Sequence, residues 1–324
     1  MNGKLETRPY GTDGDRVTVI GLGGGQLGRY SLDDGVATVR KALELGISYF
    51  DTSPSYGGGV SQVILGRALE GRTEPYLLAT KLGYLTRPGH FRSPDALAAQ
   101  LGENLRALRR PQVDVLKIHV AEMAAWWQDG AAPEDLVDMD ADIDFANAPI
   151  MRVLAEAKEQ GVCRFIGITG DEADELSHVL DRVEVDECLL AYNYTLLSRR
   201  ALERTVPLSK KKGTNFVAAG ILKTGFTSVH SEWLSTPPDW VTPEVRAGLR
   251  KLYELQRESG LSIIDLAIRY VVNDPDVTTV LLGAESPAEV EESVAAALEG
   301  PLPPDIKGAI DDLGLAAKGN PTAG

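Results

Sequence analysis

Cysteine is almost missing from this chain, with Cys163 and Cys188 the two present in 324 residues. So few cannot build the disulfide framework on which small secreted domains rest. Each sits beside an apolar run that reads as a buried strand, so both are expected to be core thiols. Histidine is scarce too: His90, His119, His178 and His230 are the four present, and no two stand at the spacing of a metal-ligand pair. No metal site is expected. Basic residues are in deficit, 33 Lys and Arg against 47 Asp and Glu, for a formal net charge of −14. Affinity for nucleic acid rests on neutralising phosphates, so this balance argues against a DNA or RNA partner. No run approaches the ~18 apolar residues of a membrane helix, and the first ten residues hold no apolar secretory segment. A cytoplasmic protein without a membrane partner is expected, and its oligomeric state leaves no mark in the sequence.

What is present is ample apolar material, 43% hydrophobic against 25% charged residues, enough to bury a large core. Eight short apolar runs rich in β-branched residues recur, at 17–22, 47–50, 76–80, 113–118, 165–168, 187–191, 215–219 and 277–282. Between them lie stretches with helical spacing, among them 34–45, 62–70, 94–108 and 149–160. Strands separated by helices pair in parallel through right-handed crossovers, and eight such units close into a barrel. The fold class predicted is therefore α/β, one (β/α)8 TIM-barrel domain over residues 1–324. Segments 5–10 and 17–20 flank Gly11-Thr12-Asp13-Gly14 and read as an N-terminal β-hairpin placed to plug the barrel's bottom. Two insertions, 121–148 and 222–243, carry Trp126, Trp127, Trp233 and Trp240. Long loops at the C-terminal face shape a substrate mouth, unless such tryptophans merely anchor the loop.

Gly23-Gly24-Gly25-Gln26-Leu27-Gly28 fits the glycine pattern of a doubly wound dinucleotide fold, and Asp51 follows at about the required distance. In that fold the helix opens within the glycine run. Here the best helix cap is Ser31, after the last glycine, so the barrel is preferred.

Asp51, Lys81 and His119 directly follow the second, third and fourth apolar runs, and Tyr56 lies in the loop after Asp51. A barrel gathers all C-terminal strand ends on one face, which would bring these residues around one cavity. Singly each has a plain explanation: a turn residue, a solvated charge, a satisfied barrel histidine, a packing ring. Jointly they form a proton-transfer set. A phenol exchanges protons poorly near neutral pH unless a cation favours its anion; Lys81 supplies one, and Asp51 would keep that lysine charged. His119 could hydrogen-bond and orient a substrate oxygen. Such a set suits proton movement at oxygen while a hydride passes between carbon and a nicotinamide. An aldolase forming a Schiff base on Lys81 is the rival from another class.

The stretches Tyr49-Phe50-Asp51-Thr52-Ser53-Pro54-Ser55-Tyr56-Gly57, Ala79-Thr80-Lys81 and Leu116-Lys117-Ile118-His119 resemble the aldo-keto reductases, and the likeness spans nearly the whole chain. Residues 50–61 with Leu65-Gly66-Arg67-Ala68-Leu69 are similar to the branch of L-galactose, L-fucose and D-threo-aldose dehydrogenases and pyridoxal 4-dehydrogenase. The resemblance implies a carbonyl–alcohol oxidoreductase using NAD or NADP on a small molecule, a sugar by the branch. Tyr56 would be the proton-transfer residue, Lys81 and Asp51 its tuning pair, His119 the orienting residue. Gly220, Leu222 and Gly225 fall in a loop similar to the one that folds over the cofactor pyrophosphate; Gly283, Ser286, Glu289 and Glu292 fall in a segment similar to the adenosine-binding turn and helix. Gly23, Gly24 and Thr169 complete the expected cofactor contacts, and Tyr84, Trp126, Trp127 and Trp233 the expected substrate wall. Departures from the pattern are Thr169-Gly170 in place of Ser-Asn, Ala191 in place of glutamine, and Ala219 where many relatives stack a tyrosine on the nicotinamide. Glu289 replaces the arginine that holds the 2′-phosphate of NADP, so a preference for NAD is predicted. Some relatives are cofactor-sensing regulatory subunits; the complete tetrad argues against a purely regulatory role.

Overall fold

The computed structural model describes residues 3–85, 87–222, 236 and 242–313. A hairpin of β1 (Thr7–Tyr10) and β2 (Asp15–Thr18) leads into the barrel strands. These are β3 (Ile20–Gly23), β4 (Tyr49–Asp51), β5 (Leu77–Leu82), β6 (Val115–Ile118), β7 (Phe165–Gly170), β8 (Glu187–Ala191), β9 (Asn215–Ala219) and β10 (Thr279–Leu282). All neighbours are parallel, and β10 pairs with both β9 and β3 to close the ring. The run at 17–22, expected as one strand, is two. Its first half stays with the hairpin and its second opens the barrel, the Thr18 hydroxyl donating to the Ile20 carbonyl at the corner, 2.7 Å.

Helices pack around the ring: α1 (Leu32–Glu44), α2 (Val60–Ala68), α3 (Pro94–Leu108), α4 (Pro149–Glu159), α5 (Ala173–Leu180), α6 (Arg200–Glu203), α7 (Thr205–Lys212), α8 (Pro243–Ser259), α9 (Ile263–Val272), α10 (Pro287–Leu298) and α11 (Pro304–Asp311). Ser31 caps α1 by accepting from the Asp34 amide. The glycine run forms a short 3-10 turn at Gly24–Gln26 instead of opening a helix, which disposes of the doubly wound alternative. Among the described residues no helix is long and apolar enough to cross a membrane.

The period of two along each strand sorts the side chains into two cores. Phe50, Leu78, Leu116 and Ile168 point outward into the large core beneath the helices. Tyr49, Ala79, Val115, Phe165, Leu189, Val217 and Leu281 point inward and fill the barrel with Tyr10 and Val17 of the hairpin. Tyr10 stacks edge-on against Phe165, ring centres 5.0 Å apart, so the hairpin does seal the end from which the strands start. Cys163 and Cys188 are buried and unpaired, their thiols pushed up by burial and therefore inert. The same alternation carries Asp51, Lys81, His119, Thr169 and Ala191 inward at the opposite end, where the strands stop.

Candidate active site

A cavity of about 470 Å³ opens at that end. Asp51, Tyr56, Lys81 and His119 all line it, so residues from three strand ends and one loop meet as the barrel geometry demands. Lys81 is buried, one residue before the end of β5. Its Nζ donates to Asp51 Oδ1, to the Thr52 carbonyl at 2.9 Å and to the Tyr56 hydroxyl at 3.2 Å. An ammonium held by three oxygens suits a fixed charge beside the phenol better than a free amine nucleophile, which disfavours the Schiff-base alternative. Tyr56 lies in a loop that relies on glycine: Gly57, Gly58 and Gly59 take φ of 58°, 62° and 93°, a left-handed run closed to most side chains. Thr52 and Ser61 brace this loop with a hydroxyl pair at 2.8 Å.

His119 sits directly after β6, its Nδ1 2.9 Å from Ser53 Oγ and its ring edge-on to those of Tyr56 and Tyr84. When Nδ1 accepts the Ser53 hydroxyl, Nε2 carries the proton and becomes a donor. Gly83 allows this approach, since a Cβ there would lie 2.7 Å from His119 Cβ.

Electrostatics fix the charge states. Burial would raise the Asp51 carboxyl, but Lys117 and Lys81 more than reverse it and hold the group below its usual range. Burial, only partly offset by Asp51, lowers the Lys81 ammonium. Burial and then Lys81 drive His119 well below an ordinary imidazole, so it is neutral near pH 7. Tyr56 is pushed well above an ordinary phenol by burial and by Asp51, with Lys117 opposing. The resting side chain is thus a phenol. The phenolate that the sequence reading assigns to the oxidation step would form against this desolvation; at rest the Tyr56 oxygen accepts from Lys81 while keeping its own proton.

From the tetrad the cavity runs past Thr169, Ala191, Ala219, Gly220 and Leu222 to Gly283, Glu285 and Glu289, with Gly23, Gly25 and Gln26 on the facing wall. This cavity, lined by backbone at several glycines and reaching Glu285 and Glu289 beside the N-terminus of α10, has room for a dinucleotide against main-chain amides. Glu289 accepts the Glu285 amide at 2.9 Å, and Glu285 pairs with Arg29 across the mouth at 2.6 Å.

Several expected contacts lie elsewhere. Gly24 backs the wall, a Cβ there meeting Asp51 O at 2.8 Å, so it serves close packing. Ser286 caps α10 and Glu292 is exposed one turn further on; neither lines the cavity. Trp126 and Trp127 are buried and off the cavity, their indole N–H groups donating to the carbonyls of His119 and Val120, both at 3.2 Å, and of Ala121 at 2.7 Å. They anchor the 121–148 segment from beneath. Gly225, Trp233 and Trp240 fall outside the described residues. Tyr84 does line the cavity, 54% exposed.

Sequence reasoning passed over Tyr192 and Val120, which line the cavity with left-handed φ of 63° and 55°. With Tyr84, φ 52°, each follows the end of a barrel strand. Strain of this kind on non-glycine residues clusters at functional sites, yet nothing in the local sequence announces it. Lys117, which touches Asp51, was also passed over; its place two residues before His119 on one strand is the signal that put it on the inner face.

A family model described as the aldo/keto reductase family matches residues 19–314. The chain belongs to the aldo-keto reductases and is an NAD(P)-dependent oxidoreductase that interconverts carbonyl and alcohol. It is similar to L-galactose dehydrogenase of Arabidopsis thaliana, 32% identical across 91% of this chain and 89% of that protein. Similarity to D-threo-aldose 1-dehydrogenase of a Pseudomonas sp is 24% across 88% and 91% of the two chains. Among solved structures, the holo form of an aldo-keto reductase from Bacillus halodurans superposes with a TM-score of 0.75 at 25% identity, covering 96% of this chain and 97% of that one.

Proposed function

We propose that this protein is an NAD-preferring dehydrogenase that oxidises an aldose, or a related polyol or aldehyde, at C1, working as one (β/α)8 domain. The observation that carries the reading is the Tyr56 hydroxyl 3.2 Å from an Asp51-held Lys81 on the wall of a trough that His119 shares. The similarity to two sugar dehydrogenases supports the substrate class. Tyr56 is the proton-transfer residue: its oxygen accepts from Lys81, leaving the O–H free to point into the cavity at a substrate oxygen. Neutral His119 donates from Nε2 to the same oxygen and fixes its approach. Oxidation needs the phenol proton gone before the substrate hydroxyl yields its own, and reduction uses that proton directly. A bound nicotinamide supplies or accepts the hydride.

The preference for NAD rests on charge. Glu285 and Glu289 stand at one end of the cavity, where the 2′-phosphate of NADP would meet two carboxylates, one of them paired with Arg29. A free ribose hydroxyl can instead donate to Glu289. Tyr84 and Tyr192, flanking the tetrad end, are the proposed substrate walls. The test is a panel of aldoses, pyridoxal and simple aldehydes with each cofactor, followed by nicotinamide absorbance. The expected result is turnover of an aldose with NAD well above that with NADP; turnover confined to NADP defeats the cofactor reading, and turnover of none of the aldoses defeats the assignment to a sugar.

A further inference from the structure

Below the cavity floor the barrel interior holds charge where apolar layers are the rule. Lys117 and Glu187 are both fully buried, and neither reaches the cavity. Lys117 Nζ lies 2.6 Å from Asp51 Oδ2 and 2.7 Å from Glu187 Oε1. The other Glu187 oxygen accepts the hydroxyls of Tyr10 at 2.6 Å and Tyr49 at 2.5 Å. Register produces the alignment: Lys81 is paired with Lys117, Lys117 with Gly167, and Gly167 with Glu187 across neighbouring strands. Gly167 clears the path, since a Cβ there would stand 3.1 Å from both Lys117 Cγ and Glu187 Cβ. The outcome is a file of alternating charge, ammonium, carboxylate, ammonium, carboxylate, running from Lys81 through Asp51 and Lys117 to Glu187.

Buried ions are retained against a large desolvation penalty, and a pair of apolar side chains would fill the same space at less expense. The far end of this file is fixed by two tyrosines of the barrel floor, and its near end grips the oxygen opposite the one that holds Lys81. We propose that Lys117, anchored by Glu187, is a positioning residue that holds Asp51 and sets the charge felt by the Tyr56 hydroxyl. The inference rests on the reading of Tyr56 as the proton-transfer residue. Among the described residues, Lys81 and neutral His119 touch Tyr56, and the charges of Asp51, Lys117 and Asp171 and the phenol of Tyr192 act on it electrostatically. Within that set Lys117 is a cation that favours the phenolate, and Glu187 is the anion that tempers Lys117.

The sign of each change follows from Coulomb's law. Lys117→Met removes a positive charge, disfavours the phenolate and moves the alkaline rise of oxidation to higher pH. Glu187→Gln keeps the shape and still accepts the two tyrosine hydroxyls, but removes a negative charge and moves the rise to lower pH. The expected displacement is about half to one pH unit each way, so that kcat on the acid side changes roughly three- to tenfold, with KM unmoved. The experiment is the pH profile of kcat and KM for wild type, Lys117→Met, Glu187→Gln and Tyr56→Phe, with NAD binding followed by protein fluorescence. A purely structural role would depress both variants alike; opposed shifts support the inference. Should Lys117→Met fail to fold, a downward shift in Glu187→Gln alone still supports it, and an unshifted profile there overturns it. Inactive Tyr56→Phe beside unshifted profiles overturns this inference alone, whereas full activity of Tyr56→Phe overturns the function reading and this inference with it.

Discussion

Tyr56 shows how much one side chain depends on its surroundings. Its ring is wedged against His119 with Lys81 Nζ 4.6 Å from its centre, and its oxygen is the terminus of a hydrogen-bond chain that starts at Asp51. Tyr56→Phe removes the single proton-bearing atom while keeping the ring. Loss of a positioned acid–base group lowers kcat by about 10²–10⁴-fold, and steady-state kinetics with an accepted substrate should show that loss with cofactor binding intact. A kcat within an order of magnitude of wild type would mean that another group moves the proton. At this scale the sequence was already informative, because Asp51, Lys81 and His119 each end an apolar run. Of Lys117 it offered only the inward-facing position two residues before His119, since a lone lysine inside a strand does not announce the carboxylates that hold it.

Elements decide what the tryptophans do. The segment between β6 and α4 folds over its own buried ring pair, Phe145 packing on Trp127 with centres 4.9 Å apart, and a bridge joins Met123 to Leu136. Trp126 ties this segment to the strand end that carries His119. Trp126→Phe keeps most of the packing but takes the indole donor from the buried His119 carbonyl, while the Val120 carbonyl still accepts the Met123 amide at 3.2 Å, a loss of about 1–3 kcal/mol. Chemical denaturation should show that loss, with substrate KM unchanged because the indole is off the cavity. A large rise in KM with unaltered stability would return Trp126 to the substrate wall. Sequence alone could not choose between anchor and wall, because aromatic residues in a long loop serve either purpose and only the packing around them decides.

Across the whole molecule, Glu122 couples folding to pH. It is buried beneath the cavity wall, one oxygen accepting the amides of Asp171 at 2.6 Å and Glu172 at 3.0 Å, the other pressed toward Gly170. Burial raises its pKa from 4.5 to about 8 despite those amides. Between these values the native state keeps a proton that the unfolded chain releases, so this group's contribution to stability is full below about pH 4.5 and is lost as pH rises through about 8. Glu122→Gln stays neutral throughout. Calorimetry from pH 5 to 8 should find the wild-type melting temperature falling relative to the variant; parallel curves would show that the carboxyl is ionised in the native state. The barrel that creates this burial was legible in outline from eight spaced apolar runs. The split of residues 17–22 between hairpin and barrel was not, because an unbroken apolar run carries no mark of the corner at Thr18.

The sequence by itself determined the strand and helix order, the cap at Ser31 that weighed against a doubly wound sheet, and the polar residues that close three strands, since each follows from local patterning along the chain. Only the tertiary structure decided the burial that pushes the Tyr56 phenol upward, the retreat of Trp126 and Trp127 from the cavity and the charge file from Lys81 to Glu187. Those depend on burial and on register between strands far apart in the chain, and neither distance nor dielectric is written in the order of residues.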